Sequence, residues 1–247
     1  MAVDGNIGAM PSWNVHIAHT ERILPEEDLC ALAIRNVDAF LLGNLVPDIY
    51  VGYMVPDVSH KIPYKDTHYA DPTFIPAPDA SRFYRSYVQG RDATDLELGV
   101  WCHLLCDHYY NWRTTEYINR IGVAPGEQTR IRKQADFALY GRTLDISLVP
   151  RLTPEVLRQG FAFRQYDLLE DDLRKTVVSA AEIVRTNQEQ HLAHTPIYGL
   201  LTNEFFRSTA QEVNEALRAA LDLYGRGEDA SHLGDSASLL SIEDRDA

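Results

Sequence analysis

An all-α fold is what this sequence predicts, and three observations predict it. Apolar residues recur at three- and four-residue intervals rather than alternating. Cap residues fall where those stripes begin and end, and no stretch carries the period of two expected of a half-buried strand. With 45% hydrophobic and 24% charged residues in 247, the composition suits one sizeable core rather than a disordered chain. The expected architecture is a single multi-helix bundle with a long irregular loop near residues 44–94 lying over a buried metal site.

The elements follow in order. Residues 1–9 read as a flexible, Gly-containing arm, and the bundle is expected to span 10–224. Leu29, Leu32, Ala33, Val37, Phe40 and Leu41 form one stripe, entered through Pro25 and two glutamates and closed by Gly43, which suits a C-terminal cap. Prolines recurring from Pro47 to Pro78, among Tyr, Asp and Gly, predict the irregular connection, and loops of that length in compact domains usually carry function. A helix is expected from about Asp95 to Tyr117; it is apolar on nearly every side, hence central and buried. Further helices are expected near 127–141, 153–160, 167–191 and 198–224. The acidic, small-residue-rich stretch 225–247 reads as a mobile tail, dispensable for stability.

Composition also removes function classes. A net charge of −13 disfavours a nucleic-acid binder that works through nonspecific attraction to phosphates. The longest apolar runs reach about five residues against the roughly 20 of a membrane span, so no transmembrane segment is expected. No signal peptide is visible near Met1, and three cysteines without framework spacing (Cys30, Cys102, Cys106) suit reduced thiols, so the expected location is cytoplasmic.

The chemistry concentrates on the central helix. His103 and Asp107 are four residues apart in an almost wholly apolar segment and therefore share one face. A buried carboxylate needs a hydrogen-bonding or cationic partner, so the pair is either a structural His–Asp bond or part of a metal site. His16, Asp48 and His68 add two imidazoles and a carboxylate, and the set has the ligand chemistry of zinc and related divalent ions.

Four segments in order carry a resemblance: MPSWNVH (10–16), FLLGNLVPD (40–48), Thr67-His68, and GVWCHLLCD (99–107). Together they resemble the bacterial zinc-dependent phospholipase C family, whose all-α bundle is shared with the single-strand-specific zinc nucleases. The resemblance covers roughly residues 10–112. It implies that Asp48, His68, His103 and Asp107 surround one ion, with Asp107 able to bridge to a second near His16. It further implies that the protein hydrolyses a small phosphoric ester, with Asp48 as general base and ligand, one carboxylate oxygen facing the metal and the other the attacking water. The family's further His–His–Glu set is missing here; Asp136 is the candidate replacement carboxylate, with Tyr140 one turn on. One tight metal site and at most one weak one are therefore expected. Two alternatives stand beside the hydrolase: a non-catalytic, metal-stabilised binding domain, and a His-Asp-type phosphohydrolase built on Asp107 and His108, in which the two residues stand in reverse order.

Overall fold

A computed structural model describes residues 12–24 and 33–234. Ten α-helices occur among them, with one π turn, one 3-10 turn and no strand. The arm 1–9, the first part of the Leu29–Leu41 stripe and residues 235–247 lie outside the described residues.

The centre is the helix Asp95–Arg120 (α6 in chain order). Thr94 caps it: its hydroxyl accepts from the Glu97 backbone N–H, and the Glu97 carboxylate accepts in return from the Thr94 N–H at 2.8 Å. Leu96, Leu98, Val100, Trp101, Leu104, Leu105 and Tyr110 are buried on all sides of it, because every face meets a neighbour. Against it lie α2 (Val37–Gly43), α3 (Val46–Ile49), α8 (Pro154–Ala162) and α10 (Asn203–Gly225). α1 (Trp13–Ile23) packs between α10 and α9 (Glu170–Glu189). α4 (Tyr64–Thr67), α5 (Ala80–Phe83) and α7 (Glu127–Gly141) complete the set.

α2 and α6 approach through two glycines. A Cβ on Gly99 would stand 2.1 Å from the Phe40 carbonyl oxygen, and one on Gly43 would stand 2.1 Å from that of Leu96. Gly43 is thus required by close backbone contact. It is not a left-handed C-cap, as its place at the end of the stripe suggested, and the positive-φ glycines lie elsewhere. The helix also begins later than the stripe implied: Ala33 has φ 58 and Asn36 caps the Ala39 N–H at 3.0 Å.

The segment 44–94 holds three one-turn helices and a π turn rather than being wholly irregular. It is tied to α9 by Asp172, which accepts from the Ser59 N–H at 3.0 Å and from the Tyr50 hydroxyl at 3.1 Å. Lys175 adds a bond from Nζ to the Asp57 carbonyl at 2.7 Å.

The stretch after Gly225 corrects the tail expectation over its first ten residues. Ala230 is buried, the Tyr84 hydroxyl donates to the Glu228 carbonyl at 3.3 Å and accepts from the Ala230 N–H at 3.2 Å, and Ser81 donates to the Ser231 carbonyl. These polar contacts let a small-residue segment dock without a dense apolar stripe. Truncation after Arg226 is expected to lower the melting temperature by about 5 °C, the equivalent of roughly 2 kcal/mol in a chain of this size; an unchanged melt would show that the docking contributes nothing.

No described helix is long and apolar enough to cross a membrane.

Candidate metal centre

Four separate elements bring five side chains to one point beside α6. His103 and Asp107 come from α6 itself, Asp48 from α3, His68 from the C-terminal cap of α4 and His16 from α1. All five are between 0 and 1% exposed. The α2–α6 glycine contact places Asn44 against the central helix, and the Asn44 carbonyl receives a hydrogen bond from His103 Nδ1 at 2.8 Å.

That bond sets a tautomer. A carbonyl only accepts, so Nδ1 of His103 carries the proton and Nε2 turns a lone pair toward the cluster. His68 is held the same way. The Thr67 hydroxyl donates to the Tyr64 carbonyl at 3.1 Å, leaving its oxygen to accept from His68 Nδ1 at 2.7 Å. His68 Nε2 therefore also presents a lone pair. The two Nε2 atoms stand 3.1 Å apart, both acceptors, with no proton of their own to share.

The carboxylates enclose this pair. His68 Nε2 is 3.7 Å from Asp48 Oδ1 and 3.6 Å from Asp107 Oδ2, and His103 Nε2 is 3.8 Å from Asp107 Oδ2. The other oxygen of Asp107 faces His16 Nε2 at 3.1 Å, and the His16 ring stacks on His103 with centroids 4.0 Å apart. Asp48 Oδ2 accepts from the Trp13 indole N–H at 3.0 Å, whereas its Oδ1 is buried without a hydrogen bond, as is Asp107 Oδ1. The division of labour expected within Asp48 is thus altered: Trp13 engages one oxygen, and Oδ1 alone faces the centre.

Protonation states follow from burial. It pushes His16 and His103 down to about 3 and His68 well below its ordinary value, so all three imidazoles are neutral near pH 7. Burial, then the like charge of Asp107, raises Asp48 well above the carboxylate range, against the Trp13 hydrogen bond. Asp107 is raised by burial as well, opposed by His103 and by Lys133. Converging lone pairs and buried carboxylates are groups that could together hold a cation. Two ligands of one tetrahedral zinc stand about 3.3 Å apart, given bonds near 2.0 Å, and the 3.1 Å between the imidazole nitrogens fits that spacing. His16, Asp48 and His103 offer ligand atoms within 4.8 Å of one another, and so do His68, His103 and Asp107.

Asp136 is not part of the cluster. Its carboxylate accepts the backbone N–H groups of Gly199, Leu200 and Leu201 at 2.6, 2.7 and 2.7 Å, fixing the loop before α10. Tyr140 beside it stacks on Phe206. His108 turns to the Pro78 carbonyl, which its Nδ1 meets at 2.8 Å. Three neighbours of the centre were given no role by the sequence reading: Trp13 and Thr67, which orient Asp48 and His68, and Tyr64, which stacks on His68 with its hydroxyl 3.5 Å from Asp107 Oδ2; Lys133, buried on α7, was not singled out either. Lys133 did carry a signal, since it occupies a position on the buried face of α7, four residues before Phe137.

Comparison of the chain with models of known families, with curated proteins and with solved structures finds no match.

Proposed function

We propose that the protein is a divalent-metal-dependent hydrolase of a small phosphoric ester, of the kind the resemblance to zinc-dependent phospholipases C implies. The observation that carries the reading is the pair of imidazole lone pairs facing each other at 3.1 Å between two buried carboxylates, an arrangement that favours a shared cation. Zinc or a similar ion bound there would polarise a phosphoryl oxygen and acidify a bound water. The chain's own residues supply the rest. His68 and His103 present fixed nitrogens whose orientation is set by Thr67 and Asn44. Asp48, ionised once a cation is bound beside it, is the proton acceptor for the attacking water: Trp13 locks one oxygen, and Oδ1 is left for the proton. Tyr64 donates toward Asp107 and closes the side next to His68. A cytoplasmic setting belongs to the same proposal and rests on the free thiols Cys102 and Cys106.

The test is hydrolysis of bis-p-nitrophenyl phosphate and p-nitrophenyl phosphate by protein stripped with chelator and then reloaded with zinc or manganese. Turnover that returns with metal is the expected result. A full metal complement with no turnover on either ester would favour the second reading, a metal-stabilised binding domain, which the complete burial of the five residues also suits.

A further inference from the structure

All five residues of the centre are between 0 and 1% exposed, so neither an ion nor an ester reaches them unless a covering group moves. Trp13, Asn44 and Thr67, which bond to the same cluster, are between 0 and 3% exposed. Tyr64 is different. Its ring lies on His68, with centroids 3.9 Å apart and planes 25° from parallel, and its hydroxyl stands 3.5 Å from Asp107 Oδ2. The same residue is only half-buried, between exposed Pro63 and exposed Lys65. Tyr64 thus touches the centre on one side and solvent on the other.

The backbone of Tyr64 is fixed where its side chain is not. Its carbonyl accepts from the His68 N–H at 2.9 Å and from the Thr67 hydroxyl at 3.1 Å, and the Tyr166 hydroxyl donates to the Thr67 carbonyl at 2.9 Å. The phenol has one proton and two distant acceptors, Asp107 Oδ2 and the Pro76 carbonyl, each at 3.5 Å, beyond the ordinary reach of an O–H···O bond. Turning the ring outward about its Cα–Cβ bond therefore breaks no short hydrogen bond. His68 keeps its place meanwhile, because Thr67 holds its Nδ1 at 2.7 Å.

We propose that the Tyr64 side chain is the gate of the centre: swung outward it opens a way one phenol ring wide to His68 and Asp107, and swung inward it seals them from water. This rests on the metal reading above and deepens it, for a passage of that width admits a single ion or the end of a small ester and turns away a polymer strand. A gate changes the rates of passage in both directions by the same factor and leaves the binding equilibrium where it was. That sets it apart from a group that only holds His68 in position, whose loss would weaken affinity.

The experiment is stopped-flow measurement of zinc uptake by metal-free, full-length protein and of zinc release to excess chelator, with affinity taken from calorimetry. Tyr64→Ala is expected to raise both rates at least about tenfold while the dissociation constant stays within about threefold of wild type. Phe205→Ala on α10, which removes a ring buried against Tyr117, controls for general loosening and is expected to leave both rates unchanged. If Tyr64→Ala does not fold, Tyr64→Leu, which keeps apolar cover over His68 and uncovers Asp107, decides by the same criteria. Unchanged rates in the Tyr64 variant, equal acceleration in Phe205→Ala, or a loss of affinity with unchanged uptake would overturn the gate and leave the metal centre standing. No ion in wild type would sink both.

Discussion

Asp107→Ala is expected to empty the metal centre. Elemental analysis after dialysis should fall from one ion per chain to below about a tenth, since loss of an anionic ligand removes both a bond and the charge that favours the cation. The oxygens of Asp107 lie within 4 Å of all three imidazoles, at 3.1, 3.6 and 3.8 Å. Asp136→Ala is the contrast. That carboxylate is equally buried but serves three backbone N–H groups, so melting temperature should drop while the ion stays. A full metal complement in Asp107→Ala would remove the central helix from the site.

The second large effect lies where no ligand is touched. In Gly99→Ala the new Cβ would meet the Phe40 carbonyl oxygen at 2.1 Å and the Asn44 nitrogen at 2.8 Å. Both are backbone atoms of α2 and its cap, so no side chain can swing aside and the helices must part. A cost of about 3 kcal/mol is expected, with melting lowered by about 10 °C. The displacement falls on Asn44, whose carbonyl fixes the His103 ring, so zinc affinity should weaken as well. Gly126→Ala, with open space around the added carbon, is the control and should change little. A Gly99→Ala protein melting within about 2 °C of wild type would show that the α2–α6 approach can relax.

The two glycines show what kind of information the sequence carries. Gly43 and Gly99 stand inside the segments that suggested the family, yet their reason is a contact between helices far apart in the chain, and Gly43 reads more readily as a cap. α6, α8 and α10 were legible because caps and apolar periods agree locally, at Thr94, Thr153 and Thr202, and α7 and α9, which lack a side-chain cap, were legible from their period alone. α1 was not. Eight of its eleven residues are buried, and His16, His19 and Thr20 are among them, so residue type along it does not report which face is inside. Of the cluster, His103 and Asp107 stand out by spacing alone, whereas His16, Asp48 and His68 gain weight only from the order of four short segments. Asp136 and Lys133 are three apart on one helix. That Asp136 serves the Gly199–Leu201 loop, more than 60 residues on, rather than the cluster is something no local rule reports.

The facing lone pairs of His68 and His103 also bear on the lifetime of the protein. Without an ion, two acceptor nitrogens from residues 35 apart in the chain stand 3.1 Å from each other in a fully buried place. Each ion bound to the folded chain alone shifts the folding balance by mass action, about 4 kcal/mol at a thousandfold excess over the dissociation constant. Supply of the ion would then set how much of the chain survives proteolysis as well as how much can act, and a cell short of metal would carry less of the protein rather than an idle pool of it.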